Sequence, residues 1–219
     1  MRDVGRNILL GIVFVLAAFT TILVSRYLTF DPDVYFEQQR QTYIDHRIGI
    51  ASHIIGGMIA MALGPFQFMT GLRERWPALH RGMGRVYLSA CAVGSIAGFY
   101  MAFYAYGGFP SSMGFGMLSM AWFTCAAMAL LRIRARNVAA HREWVLRSYA
   151  LTFAAVTLRI YLGTHGALLG AEVIDLPFTE MYIAVAWMCW VPNLILAECY
   201  IGSTRTDPKN LARTLQSSA

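Results

Sequence analysis

The chain alternates long uncharged, mostly apolar runs with short charged segments. The runs cover residues 7–25, 48–72, 86–131, 148–171 (interrupted only by Arg159) and 181–197. Because a transmembrane helix needs about 20 mostly apolar residues, four of these runs each fit one crossing. The run 86–131 is too long for one crossing, and its centre, GGFPSSMGFG at 107–116, is typical of a turn. The pattern therefore predicts six transmembrane helices.

The predicted spans are 8–28, 48–69, 86–106, 113–131, 145–169 and 178–201. The composition supports them, because 57% of the 219 residues are hydrophobic and only 14% are charged, whereas a soluble domain carries about a quarter charged residues. This composition excludes a soluble globular enzyme and a disordered chain. We expect an all-α polytopic membrane protein, with one six-helix domain over 1–204 and a polar tail over 205–219.

The formal net charge of +6 is distributed unevenly between the two sides of this bundle. Fourteen of the 18 Lys and Arg residues fall on the side of the two termini, and seven of the 12 acidic residues fall on the other side. The positive-inside rule then predicts cytoplasmic termini and a location in the inner (plasma) membrane. Insertion and contact with anionic lipid account for the basic surplus. The bilayer is therefore the expected partner, and no nucleic-acid partner is expected.

Four segments of the chain carry a resemblance to a known family. They are GGMIAMALGPFQF at 56–68, LHRGMGRVY at 79–87, HREWVLRSYALTFAAVTLRIYL at 141–162 and CWVPNLILAE at 189–198. Together they resemble a bacterial family of predicted multi-pass membrane proteins that is defined as a domain of unknown function. The resemblance covers about residues 45–200. It implies the membrane architecture, and it implies no activity and no catalytic residue.

Histidines near the non-cytoplasmic side form a candidate cofactor site. His46 and His53 lie on nearly one face of the second span, but about 10.5 Å apart along its axis, which is too far for one metal ion. The same span carries a stripe of small residues that predicts close helix packing: Gly49, Gly56, Ala60 and Gly64. His53 is therefore either a hydrogen-bonded packing residue or an axial haem ligand. His165, on the fifth span, is a candidate to join His46 or His53.

Arg159 is the most costly residue in the predicted spans, because a charge inside a bilayer needs a partner or a route to the surface. It lies about 10 Å from the outer end of its helix, at a depth similar to that of His53. No acid in the other spans lies at that level. Its partner could be backbone carbonyls with water, an outer-loop acid such as Asp45 or Glu172, or an anionic ligand such as a haem propionate or a lipid phosphate. Alternatively, Arg159 snorkels to the outer surface.

A second group of polar residues forms a possible cluster at the cytoplasmic side. Its members are His80, Arg85, His141, Arg147, Asn193 and Glu198. His80 and His141 each begin a similar H-R helix entrance, so a duplicated two-helix unit is one interpretation. Paired histidines near each membrane face are also typical of a two-haem cytochrome, but this pair lies close to the loops and the fourth span has no His. Glu198 is expected to pair with Arg85 or Arg147, with a proton-relay role as the alternative.

Three functions remain open on the sequence. The first is a haem- or quinone-linked redox membrane protein, with His53 as a ligand, Arg159 holding an anionic group and haem b as a possible cofactor. The second is a transporter or proton-coupled carrier that uses Arg159, His53, Asn193 and Glu198. The third is a non-enzymatic accessory, assembly or lipid-contact protein with a homo-oligomeric or membrane-complex partner. The sequence lacks a phosphate-binding loop, a hydrolase signature and a zinc-enzyme motif.

Overall fold

The computed structural model describes residues 2–205, apart from the side chains of residues 2–4, 6 and 7. Its helices are α1 (Arg2–Ser25), α2 (Arg40–Asp45), α3 (Arg47–Gln67), α4 (Thr70–Arg75), α5 (Pro77–Ala102), α6 (Phe109–Arg134), α7 (Val138–Thr152), α8 (Ala154–Gly170), α9 (Phe178–Met188) and α10 (Val191–Arg205). Three short 3-10 helices lie between α1 and α2, and no strand occurs within residues 2–205. The all-α fold is confirmed. Apart from Arg205, the predicted polar tail lies outside the described residues.

Six segments of this part of the chain are long and apolar enough to cross a membrane. They are Ile8–Thr29, Arg47–Gln67, Pro77–Ala102, Phe109–Arg134, Val138–Gly170 and Phe178–Arg205, numbered spans 1 to 6 below. The prediction of six spans is thus confirmed. Spans 5 and 6 are each made of two helices, α7–α8 and α9–α10.

Alternating spans place the connections at two opposite ends of the bundle. Connections 68–76 and 135–137 lie at one end, which we call the basic face because of its arginines. Connections 30–46, 103–108 and 171–177 lie at the other end, which we call the loop face.

Helices α5 and α6 begin earlier than the apolar pattern predicts. Each carries a proline in its first turn, where the missing N–H removes no helical hydrogen bond. The turn before α6 uses Gly107 and Gly108 at φ 88° and 71°, left-handed values that favour glycine. In α5 and α7, helical turns with charged residues precede the apolar stretch. Hydropathy alone therefore places the starts of these two helices too late in the sequence.

The predicted small-residue stripe brings α3 into close contact with its neighbours. A Cβ on Gly56 would lie 2.7 Å from the carbonyl oxygen of Ala90 in α5. A Cβ on Gly64 would overlap the ring of Tyr149 in α7. Larger side chains at these positions would push the helices apart, so the stripe fixes the centre of the bundle.

Spans 5 and 6 are interrupted near mid-membrane, and one side chain bonds to both. The amide nitrogen of Asn193 donates to the carbonyl oxygens of Ala150 and Cys189 at 3.3 and 3.0 Å, and to the hydroxyl of Thr157 at 3.0 Å. Pro192 lacks a backbone N–H, which suits the start of α10. Such breaks are tolerated inside a membrane where side chains satisfy the backbone groups that they free.

Span 1 lies at the edge of the bundle and leaves much of its apolar surface exposed, including Phe19 and Ile22. It packs mainly on α3 and only sparsely on α8. The connection that follows folds back over the loop face. There the buried Gln39 donates a 2.6 Å hydrogen bond to the Tyr182 hydroxyl in α9, and Tyr35 is also buried.

Candidate functional site: a cavity shared by His53 and Arg159

A half-open cavity of about 90 Å³ lies where α1, α3 and α8 meet. Its lining residues are Thr20, Thr21 and Val24 of α1, His53, Ile54, Gly57, Met58 and Met61 of α3, and Ala155 and Arg159 of α8. His53 is six residues from the start of α3, or about 9 Å along the axis, so the cavity reaches into the loop-face half of the membrane. The structure therefore brings His53 and Arg159, predicted to lie at similar depth, to one site.

The tautomer of His53 follows from its one hydrogen bond. Its Nδ1 lies 2.8 Å from the carbonyl oxygen of Gly94 in α5, and a carbonyl only accepts, so Nδ1 carries the proton. In the neutral ring, Nε2 then carries a lone pair. No described side chain bonds to Nε2. A Cβ on Gly98 would lie 2.7 Å from Nδ1, and Trp122 packs edge-on against the ring with centroids 6.4 Å apart, so the imidazole is firmly held.

Arg159 is held by the backbone of its own helix. Its Nη1 donates to the carbonyl oxygen of Ala155 at 2.7 Å. Helix α8 runs toward the loop face, so a bond to the residue four positions earlier turns the guanidinium toward the membrane centre. Snorkelling would require the opposite direction, toward the loop face. Among the described side chains no carboxylate lies within ion-pairing distance of Arg159, and most of its five N–H donors have no partner in the described part of the protein.

A cluster of three tyrosines covers the loop side of this region. The rings of Tyr27 and Tyr35 stack at 5.6 Å between centroids, and the Tyr43 ring meets Tyr35 edge-on at 5.3 Å. Burial raises the pKa of Tyr43; the phenol of Tyr27 adds to the increase and the positive charge of Arg159 opposes it. Arg159 therefore acts electrostatically on neutral phenols, which cannot neutralise its charge.

The other two predicted ligands lie elsewhere. His46 stacks on Tyr104 at 3.8 Å between centroids, and its Nδ1 is 2.8 Å from the Tyr100 hydroxyl. His165 is buried, and its Nε2 donates to the carbonyl oxygen of Leu176 at 2.8 Å in the connection before α9. The structure thus joins two of the four candidate residues, and it assigns separate local contacts to His46 and His165.

The polar residues of the basic face form an ion network. Arg147 makes a bidentate pair with Glu198 at 2.5 and 2.8 Å, and it also lies 3.7 Å from Glu143. Glu143 in turn pairs with Arg205. Of the two expected partners of Glu198, the structure selects Arg147, because α7 packs against α10, whereas Arg85 is exposed on α5.

The remaining members of the predicted basic-face cluster are dispersed. His141 donates from Nδ1 to the carbonyl oxygen of Ala129 at the end of α6, at 2.8 Å. His80 is part-buried in the first turns of α5. Asn193 lies deeper, between the two broken spans, where its N–H groups are already shared among three acceptors. Its bonds give it a structural role.

Several residues of the cavity were not singled out from the sequence. Thr20 and Thr21 carry adjacent hydroxyls in an otherwise apolar run, a pattern from which a polar site on α1 could have been predicted. The Gly94 carbonyl that orients His53 has no sequence signal, because a backbone group is the same at every residue. Within residues 2–205, no group of three or more His, Cys, Asp or Glu side chains is arranged to hold a metal ion.

A family model matches residues 50–201, from α3 into α10, and its description is "Predicted membrane protein (DUF2306)". The chain belongs to this family. The resemblance carried by the four sequence segments is thereby confirmed, as is the multi-pass membrane architecture. The match to DUF2306 includes His53 and Arg159, while the cavity wall formed by α1 precedes it. No curated protein and no solved structure matches the chain.

Proposed function

We propose that the protein binds the headgroup of a lipid-soluble quinone or quinol in the cavity between α1, α3 and α8. The observation that carries the proposal is that His53 and Arg159, from different spans, line one half-open cavity with unused hydrogen-bonding capacity. An ionisable residue inside a membrane bundle is a functional candidate when no protein carboxylate accounts for it.

The two side chains are complementary to the oxygens of such a headgroup. The free N–H groups of Arg159 would donate to a quinone carbonyl or a quinol oxygen. The Nε2 lone pair of His53 would accept a hydrogen bond from the O–H of a quinol hydroxyl. The apolar walls, Val24, Ile54 and Met58, suit a flat ring between these two polar groups.

The size of the cavity favours one ring over a haem. An apolar cavity of about 150 Å³ accommodates benzene, so the 90 Å³ here encloses only part of one ring, and the remainder would extend through its open side. A haem macrocycle of four pyrrole rings is far larger. A second axial histidine would have to be freed from the contacts of His46 or His165.

The position of span 1 gives a lipid-soluble ligand a lateral route. Span 1 packs sparsely on α8, so the cavity lies beside a loosely packed seam of the bundle. We place the protein in the inner membrane with its basic face in the cytoplasm, on the support of the positive-inside rule. The cavity then belongs to the outer leaflet.

Titration with decylubiquinone, followed by tryptophan fluorescence in detergent micelles, tests this function. We expect saturable quenching that a Trp122→Phe variant reduces, because Trp122 packs on His53. Arg159→Gln should weaken binding at least about tenfold, since a hydrogen bond from a charged donor contributes about 1.5–3 kcal/mol. His53→Gln keeps a donor for the Gly94 carbonyl and should also weaken binding.

Arg47→Gln is the matched control. It makes the same charge change at an exposed position at the start of α3, and we expect unchanged affinity. Quenching that does not saturate, or equal affinities for the Arg159→Gln and Arg47→Gln proteins, would rule out the site.

A further inference from the structure

Five positively charged or protonatable side chains converge at the basic face, away from the cavity. His80, near the start of α5, is within electrostatic range of Arg73, Arg81, His141 and Arg142. Arg142 is itself within range of Arg73. The connection that carries α4, the start of α5 and the start of α7 therefore meet in one basic cluster.

No carboxylate among the described side chains forms an ion pair with any of these arginines. Two acids directly follow arginines of the cluster in sequence. Glu143, after Arg142, faces Arg147 and Arg205 in the ion network. Glu74, after Arg73, is exposed and forms no ion pair with a described side chain. The excess of positive charge in the cluster is therefore not compensated by the described protein.

Two buried polar atoms beside the cluster lack any hydrogen-bond partner within the described residues. They are Nδ1 of His80 and Nε2 of Gln67, the last residue of α3. The other end of the Gln67 amide lies against Gly84, one turn along α5 from His80, because a Cβ on Gly84 would be 3.1 Å from Gln67 Oε1. Buried donors without a partner carry a free-energy cost, which a bound acceptor would remove.

We propose that this cluster, the basic-face anion site, binds a phosphate-type oxyanion, with Gln67 and His80 donating to its oxygens and Arg73 and Arg142 neutralising its charge. Phosphate oxygens accept several hydrogen bonds at once and favour arginine. Basic pockets between transmembrane helices bind anionic lipid headgroups in this way. The exposed Trp76 between α4 and α5 is typical of the headgroup level of a bilayer.

The test is the thermal unfolding midpoint of the full-length protein in neutral detergent, measured with added phosphatidylglycerol, phosphatidylcholine or inorganic phosphate. We expect phosphatidylglycerol to raise the midpoint in a saturable manner and phosphatidylcholine to leave it unchanged. The double variant Arg73→Gln/Arg142→Gln should weaken the apparent affinity at least about tenfold, because each arginine near a charged lipid surface contributes about 1 kcal/mol.

The double variant Arg132→Gln/Arg134→Gln is the matched control. It removes the same charge from exposed positions of the same face, at the end of α6, and should keep the wild-type response. A response to inorganic phosphate that Arg73→Gln/Arg142→Gln abolishes would support the site with a soluble oxyanion as its source. Equal responses of the two double variants, or no response to either anion, would overturn the proposal.

His80→Leu provides a second check that does not depend on net surface charge. Leucine keeps a comparable volume without a buried polar nitrogen. This variant should unfold at an equal or higher temperature without anion, and it should lose most of the anion-induced increase. A lower midpoint together with a full anion response would contradict the role of His80.

Discussion

Two arginines on the same membrane span have opposite surroundings. Arg147, in α7, forms a bidentate pair with Glu198, approaches Glu143 and stacks over Trp144 with its guanidinium carbon 4.6 Å from the ring centroid. Arg159, in α8, has one backbone carbonyl as its partner and faces a half-open cavity. The first charge is compensated by the protein, whereas the second is not.

This difference separates charges that the protein compensates from a charge that it leaves uncompensated. A paired charge contributes to stability, and removing one partner leaves the other desolvated without compensation. An unpaired charge inside a membrane span lowers stability, so its presence needs another explanation. For Arg159, ligand binding is the explanation that we propose.

The largest change in stability is expected when Arg147 is replaced. Arg147→Gln leaves Glu198 and Glu143 without their shared partner, and should lower the free energy of unfolding by about 2 kcal/mol. The loss is smaller than for a fully buried pair, because the Glu198 side chain is 49% exposed. Denaturation in mixed detergent micelles measures the change. Arg85→Gln, at an exposed position of the same face, should change it by less than about 0.5 kcal/mol.

An intermediate effect is expected from Gly98→Ala. Its new Cβ would meet His53 Nδ1 at 2.7 Å, so the ring or the helix must move, which we expect to cost about 1 kcal/mol, the lower end of the range for overpacking. Quinone binding should weaken at the same time, because Nε2 moves with the ring. Gly163→Ala in α8 meets nothing within 4 Å and should be neutral or slightly stabilising. If the Gly98→Ala and Gly163→Ala proteins have the same quinone affinity and the same free energy of unfolding, the fixed orientation of the His53 ring is not needed for the site.

The smallest stability effect is expected at Arg159 itself. Arg159→Gln removes an uncompensated charge and one backbone hydrogen bond, so we expect a change within about 1 kcal/mol in either direction. The same denaturation experiment measures it. A loss as large as that of Arg147→Gln would show that Arg159 is structural, and the contrast between the two arginines would disappear.

Much of the fold could be predicted from the sequence because the uncharged runs are long. Runs such as 7–25 and 48–72 need no tertiary information to be recognised as spans. The interruptions of spans 5 and 6 were harder to predict from the sequence. Pro192 is a strong local signal for the break in span 6, but the break before α8 in span 5 contains neither glycine nor proline.

The candidate site could be predicted only in part. The depths of His53 and Arg159 follow from counting residues, and so does the lack of an acid at that level. The rotation of each helix about its axis is a tertiary property, so the contact of His165 with Leu176 and the choice of Arg147 over Arg85 could not be derived. The fold of the 30–46 connection onto Tyr182 depends on Gln39, a polar residue that the pattern gives no reason to bury.

The most direct test of the central claim is photolabelling with an azido-substituted benzoquinone that carries a short alkyl tail, followed by peptide mapping of the full-length protein. The account predicts labels on the cavity-lining stretches 20–24, 53–61 and 155–159, reduced by excess decylubiquinone and lost in Arg159→Gln. Labels spread over exposed lipid-facing positions such as Phe19 and Leu196, undiminished by competitor and unchanged in Arg159→Gln, would contradict it.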